Sequence, residues 1–223
     1  MTRLARIVIP GLPHHVTQRG NRREQVFFSD ADYRFYLDEL GMAARKAGSE
    51  IWAWCLMPNH VHLLIVPRDV DGLRQSVANA HRRYAARLNA RNKWTGHLWQ
   101  GRYGSVVMDE AHLWHALAYV SLNPVRARLV ERAQDWPWSS ARAHLTGRPD
   151  GITTIAPALE RVGDFAAFLG AEHHPAAFEP LRRAEVTGRP VGGARFLDGL
   201  EARLGRAVKP QKRGRKPGDA EIR

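Results

Sequence analysis

Apolar positions concentrate in two runs, Ile51-Trp52-Ala53-Trp54-Cys55-Leu56 and Val61-His62-Leu63-Leu64-Ile65-Val66, separated by Met57-Pro58-Asn59. Runs of this length bounded by a turn predict two strands, over 50–56 and 60–66. Upstream, Ile7-Val8-Ile9 and His15-Val16-Thr17-Gln18 flank Pro10-Gly11-Leu12-Pro13, which predicts a first strand interrupted or preceded by a turn. Ser29-Asp30-Ala31-Asp32 reads as a capping box that opens a helix with Tyr33, Tyr36, Leu37 and Leu40 on one face and Gly48 as its stop. Leu73, Val77, Ala80, Tyr84 and Leu88 recur at helical spacing and predict a helix over 72–91, after which 104–108 reads as a fourth strand. The order β-α-β-β-α-β predicts an α+β, ferredoxin-like fold, in which helices cover one face of an antiparallel sheet and leave the other open.

Two imidazoles interrupt this apolar pattern. Successive side chains on a strand alternate faces, so His60 and His62 project to one side while Val61 and Leu63 go to the other. Convergent imidazoles make half a metal site, although a His-x-His pair also occurs on solvated strands. A second polar group lies further along. Residues 109–123 predict a helix with Asp109 as N-cap, forced to stop by Pro124, and most of its interior is apolar. His112, His115, Tyr119 and Asn123 are spaced three and four apart and therefore form one stripe along it. A lone tyrosine there would satisfy its hydroxyl in the core. One aligned with an asparagine a turn later, in the domain that carries the His-x-His strand, reads as functional.

At 223 residues the chain accommodates one well-buried domain plus extensions, placed at 1–145, a helical extension at 146–205 and a basic tail at 206–223. In the extension, 156–170 and 194–204 read as helices. A net charge of +12 implies a polyanionic partner, most simply nucleic acid. The single cysteine, Cys55, excludes a disulfide framework within one chain and reads as a small buried hydrophobe. No apolar run approaches a membrane span, so a soluble, cytoplasmic protein without membrane contact is expected, as monomer or homodimer. Arg83, Arg87 and Arg91 form a basic helical stripe that suits either a DNA backbone or solvent. Gln18, Arg19, Asn21 and Arg22, and further on Trp99, Gln100, Arg102 and Tyr103, mix aromatic and hydrogen-bonding groups suited to unpaired bases. Seven basic residues and no acid fall between Arg203 and Pro217. Lys212, Arg213, Arg215 and Lys216 in that run suit a plain electrostatic tail or an AT-hook.

Five blocks occur in order: His15-Val16-Thr17-Gln18-Arg19-Gly20-Asn21-Arg22, Met57-Pro58-Asn59-His60-Val61-His62, Leu98-Trp99-Gln100-Gly101-Arg102-Tyr103, Tyr119-Val120-Ser121-Leu122-Asn123-Pro124-Val125-Arg126-Ala127, and Asp135-Trp136-Pro137-Trp138-Ser139-Ser140. With them the chain resembles the REP-associated tyrosine transposases, a branch of the single-tyrosine HUH (His, hydrophobic, His) nucleases. The resemblance implies the same ferredoxin-like fold, with the Tyr119 helix facing the His60/His62 strand. It implies Tyr119 as nucleophile, His60 and His62 as ligands of Mg²⁺ or Mn²⁺, and Asn123 as a third ligand through its carbonyl oxygen. The expected reaction is cleavage and rejoining of single-stranded, hairpin-forming repeat DNA through a 5′-phosphotyrosine. A non-catalytic DNA-binding protein on the same scaffold is the alternative. A zinc hydrolase is disfavoured, because no convincing further His, Asp or Glu completes a zinc site.

Overall fold

The computed structural model describes residues 5–210, so Lys212, Arg213, Arg215 and Lys216 lie outside the described residues. Strands β1 (His14–Arg19), β2 (Glu50–Met57), β3 (His60–Val66) and β4 (Gly104–Val107) form one antiparallel sheet in the order β2-β3-β1-β4. With helices α1 (Asp30–Ala47) and α2 (Asn79–Asn92) between them, this is the ferredoxin-like arrangement expected from the pattern. The register pairs His15 with Leu64, Thr17 with His62 and Arg19 with His60. Strand parity then sorts the side chains. Val16, Val61, Leu63 and Ile65 pack against α1 and α2 in one core. His15, Thr17, Arg19, His60, His62 and Leu64 share the opposite face.

That opposite face is not open. Ala53, Cys55, Met57 and Leu64 make its middle apolar, and helix α3 (Glu110–Ser121) covers it with Leu113, Ala116, Leu117 and Tyr119. Leaving such a surface to water would forgo about 25 cal/mol for each Å² of apolar area, which is why a helix lies there. A bulge between Ile51 and Ala53 puts Trp52 and Ala53 into this second core together, out of strict alternation.

Helix ends depart from expectation in detail. Ser29 occupies the N-cap of α1 without a side-chain capping bond, and Asp32 accepts from the backbone N–H of Phe28, one residue before the N-cap, at 2.9 Å, so the expected capping box is replaced by a contact one residue further back. A π-helical turn, Arg74–Ala78, precedes α2. Asp109 caps α3 as expected, accepting from the His112 backbone N–H at 3.0 Å. The chain does not stop at Pro124. It enters a short helix α4 (Asn123–Arg126) with proline in the first turn, where no intrahelical N–H is needed. After α5 (Ala141–Thr146), the single helix expected over 156–170 is two, α6 (Ala156–Val162) and α7 (Phe165–Gly170). Gly163 breaks it with φ of 70° and Asp164 caps the second piece. Helix α8 (Glu179–Thr187) was not anticipated, while α9 (Ala194–Leu204) was. The extension closes on the sheet domain. Leu181 joins the second core, Val191 bridges Met108 at the β4 edge, and Leu200 packs on Ile7, Ile9 and Val107. Trp138 stacks on Tyr33 with ring centroids 4.5 Å apart and packs, partly buried, against the first core.

The stripe on α2 faces α1. Arg83 pairs with Glu39, Arg87 lies 4.2 Å over the Phe35 ring, and Arg91 forks onto Asp32. Burial would raise the Asp32 carboxyl, but hydrogen bonds from Arg91 and Phe28 and the Arg91 charge outweigh it, holding it below the ordinary 3.8. A carboxyl depressed on folding stabilises above its unfolded pKa, and that stabilisation is lost as pH falls through the folded value. Replacing Asp32 with alanine should therefore lower stability by about 1–3 kcal/mol at neutral pH. In urea titrations the deficit should shrink once pH drops below the carboxylate range. A deficit independent of pH would show that the charge pair contributes nothing.

Candidate active site

The site grows from the β1–β3 pairing. His60 and His62 stand on the same face with ring centroids 4.8 Å apart, as period-two alternation requires. Across the ladder, one more imidazole joins them, because His15 shares the parity of Thr17 and Arg19. His15 Nε2 lies 3.0 Å from His62 Nδ1, and the two rings are parallel within 3° at 5.2 Å, which places them edge to edge in nearly one plane. Tyr119 from α3 presents its ring nearly perpendicular to both, at 5.5 Å from His62 and 5.9 Å from His15. Two separate constellations, a strand histidine pair and a helix tyrosine, thus converge.

Glu185 on α8 completes the cluster. Its Oε1 stands 3.6 Å from His15 Nδ1, and a Cβ at Gly104 would come within 3.0 Å of Thr17 Oγ1 and 3.5 Å of the Glu185 carbonyl. Gly104 thus avoids a crowded contact with Thr17, and the α8 backbone at Glu185 packs directly over it. Neither His15 nor Glu185 was singled out from sequence as a site residue. His15 could have been found from its parity with Arg19, but Glu185 enters through a helix whose packing no local pattern announces.

Beside the cluster opens a cavity of about 340 Å³, bordered by Arg19, His60, His62, Gln100, Arg102 and Glu185 among others. Gln18 also borders it, with its amide donating to the Gly101 carbonyl at 3.1 Å. Arg6 lies 3.7 Å over the Tyr103 ring, and both border the cavity too. Trp99 is buried, with its indole N–H donating to the His81 carbonyl, so it is a core residue in this structure. Asn21 and Arg22 form an exposed 3₁₀ turn just beyond β1, with Arg22 at φ of 54°. Asn123 is buried at the first residue of α4 and does not border the cavity. Among the other histidines, His14 accepts from the Ile9 N–H and bonds the Leu12 carbonyl, and His81 pairs with the Tyr36 hydroxyl, so both are spent on structure. His112 bonds the Asp109 carboxylate, and His115 is half-buried beside it.

Electrostatics keep the imidazoles neutral. Burial pushes His15 down to about 3, and burial with the nearby Arg19 charge pushes His60 down to about 3. Burial, then His60, His15 and Arg19, hold His62 well below 6.5. Neutral imidazoles retain a lone pair, which is what a cation requires of them. Burial raises the Glu185 carboxyl to about 7 against the pull of Arg19, Arg182 and Arg126. The cluster offers donors that suit a divalent cation. His62 Nε2, beside the cavity, is buried without a hydrogen-bond partner, and one potential ligand atom from each of His15, His62 and Glu185 lies within 4.8 Å of the others. Imidazoles with a carboxylate suit Mn²⁺ or Zn²⁺ more readily than Mg²⁺.

Tyr119 is 7% exposed, covered by Phe178 with centroids 5.4 Å apart and by Arg126, whose guanidinium carbon is 4.7 Å from the ring centre. Burial raises its phenol above 10.0, Glu185 adds to the rise, and Arg126 and Arg182 oppose it. Accordingly, in protein labelled with ¹³Cζ-tyrosine, Tyr119 should ionise later than an exposed tyrosine, and Arg126→Met should delay it further. An Arg126→Met phenol that ionises at lower pH would show that the guanidinium does not act on it.

The family described as "Transposase IS200 like" matches residues 9–123, just over half of the chain. A REP-associated tyrosine transposase of Haemophilus influenzae is 29% identical over 102 residues, covering 41% of this chain and 58% of that relative's length. The REP-associated tyrosine transposase of Escherichia coli is 23% identical over 121 residues, 54% of this chain and 70% of the relative. A solved REP-associated tyrosine transposase bound to a REP hairpin superposes with a TM-score of 0.54 at 22% identity, covering 68% of this chain and 90% of that one. At that identity the likeness establishes the fold. No helix among the described residues is long and apolar enough to cross a membrane. The chain belongs to the IS200-like transposase family, and within it its similarity runs to the REP-associated tyrosine transposases.

Proposed function

We propose that this protein cuts and rejoins single-stranded DNA, with Tyr119 as the nucleophile and the strand-borne histidines holding a divalent cation beside it. The observation that carries the reading is the convergence of Tyr119 on His62 at 5.5 Å, from a helix and a strand 57 residues apart in sequence. Phosphodiesters resist attack because their charge repels nucleophiles. Covalent catalysis by a phenol circumvents this by splitting hydrolysis-like chemistry into two transesterifications, the first forming a 5′-phosphotyrosine and releasing a 3′-hydroxyl. The bond energy is kept for rejoining.

Each group then has a task. Arg126 and Arg182, over the Tyr119 ring, favour its ionised form and meet the charge that builds on the scissile phosphate. His60 and His62 supply imidazole donors to the cation. When bound, a divalent ion there polarises the scissile phosphate and orients it for in-line attack. Arg19, Arg102 and Gln100 line the cavity next to these groups and suit the backbone and base edges of an unpaired strand. A hairpin that ends in such a strand is the substrate class favoured, since the similar protein of known structure carries a REP hairpin.

Labelled single-stranded hairpin DNA incubated with protein and Mn²⁺, then resolved on a denaturing gel, tests this. Wild type should give a covalent adduct. Tyr119→Phe should lose adduct and cleavage by about 10³-fold or more with hairpin affinity near wild type, because only the phenol oxygen is lost. His60→Ala, His62→Ala or excess chelator should do the same, with chelation reversed by Mn²⁺. Cleavage undiminished in Tyr119→Phe would sink the assignment, and hairpin binding with no adduct from the wild type would favour a DNA-binding module instead.

A further inference from the structure

Three buried polar atoms lack partners in this site, and their order is informative. They are His62 Nε2, His15 Nδ1 and Glu185 Oε1. Between them runs a chain. His62 Nδ1 meets His15 Nε2 at 3.0 Å, and His15 Nδ1 faces Glu185 Oε1 at 3.6 Å. We infer that Glu185, a residue of α8 beyond the family-matched segment, acts through His15 as a positioning residue that fixes the ring orientation and tautomer of His62. The inference rests on the reading of His62 as a cation donor.

With the Glu185 carboxyl ionised, proton counting decides the direction. A neutral imidazole has one N–H and one lone pair. If His15 Nε2 carried the hydrogen, His62 would receive it at Nδ1 and place its own N–H at Nε2, buried with no acceptor. His15 Nδ1 would meanwhile present a lone pair to a carboxylate lone pair. Both consequences are unfavourable in a buried site. In the opposite sense only the His62 Nε2 lone pair is left without a partner. His15 Nδ1–H points at the Glu185 carboxylate, His15 Nε2 accepts from His62 Nδ1–H, and His62 Nε2 keeps its lone pair beside the cavity. The 3.6 Å separation is longer than a formed hydrogen bond, so the carboxylate orients His15 electrostatically, and a small side-chain adjustment completes the contact. Ligand imidazoles are commonly held in this way by an outer carboxylate or carbonyl. Here a second imidazole is inserted, because β1 places His15 between the sheet histidine and the helix carboxylate.

The seat for Glu185 is built for it. The α8 backbone at Glu185 packs over Gly104. The segment after α8 is tied to the first residues of α3, with Gly193 N–H donating to Asp109 Oδ2 at 2.7 Å and Val191 bridging Met108. Asp109 therefore anchors two things at once: the N-terminus of the helix that carries Tyr119, and the chain that follows Glu185.

The test uses the full chain labelled with ¹⁵N-histidine. Without metal, a long-range ¹H–¹⁵N spectrum of the wild type should show His62 as the Nδ1–H tautomer, and Glu185→Leu should shift it towards a mixture with the Nε2–H form. Mn²⁺ affinity, read from the free-ion EPR signal, should fall about 10–100-fold in Glu185→Leu and in His15→Phe. Glu185→Gln should hold close to wild type on both readouts, because its carbonyl still accepts from His15 Nδ1–H. Equal losses in Glu185→Gln and Glu185→Leu would instead make Glu185 a direct charged ligand and overturn the relay. A wild-type His62 in the Nε2–H form, or Mn²⁺ affinity unchanged in Glu185→Leu, would also overturn it. A wild type with His62 in the Nδ1–H form that binds no Mn²⁺ would leave the relay standing and refute the cation reading, so the two failures are distinguishable.

Discussion

The pairing of β1 with β3 is the constraint on which the rest of the molecule depends. With Thr17 opposite His62 and Arg19 opposite His60, period-two alternation sends every polar group of the site to one face and every β1 and β3 hydrophobe of the first core to the other. A slip of one residue would turn Arg19 and the histidines into the first core against α1 and move Val61, Leu63 and Ile65 to the site face. The first core forbids that slip: Val16, Val61, Leu63 and Ile65 interlock with Tyr36, Leu40 and Leu73. The packing of one face thereby sets the chemistry of the other.

The second face is a compromise between burial and function. Its middle is apolar and covered by α3, while its edge keeps three imidazoles, a tyrosine and a carboxylate in a largely dry environment. Dry surroundings weaken the protonated forms of His15, His60 and His62 and so keep lone pairs available, whereas they make the Tyr119 phenol harder to ionise. Arg126 and Arg182 offset the second effect without cancelling the first. Arg126 belongs to α4 and Arg182 to α8, so through Arg182 the extension is part of the electrostatics of the site as well as its cover.

What was legible in the sequence follows from range. Alternation and helical spacing are local, and they located all four strands, α1, α3, and the shared face of His60 and His62. The Tyr119 stripe was legible because a polar residue on an apolar helix stands out against its neighbours. Effects of tertiary packing were not. Covering of the second sheet face by α3 depends on which strands lie side by side, so the pattern alone left that face open. Arg83, Arg87 and Arg91 read as a free basic stripe because their partners Glu39, Phe35 and Asp32 are on another helix. Trp99 read as a stacking platform, although its indole is held by the His81 carbonyl. Glu185 was invisible for the same reason: on α8, Leu181 and Ala184 provide the buried face, and only docking turns the neighbouring carboxylate towards His15.

The central claim is that one oxygen, Tyr119 Oη, becomes covalently joined to DNA. Peptide mass mapping of the protein trapped on a single-stranded hairpin that carries a nick or a short leaving strand locates that bond directly. The account predicts a nucleotide-derived mass on the peptide that contains Tyr119 and none on the peptide that contains Tyr103. The same mass on any other residue, or an unmodified Tyr119 peptide in a sample whose DNA has been cut, would contradict it.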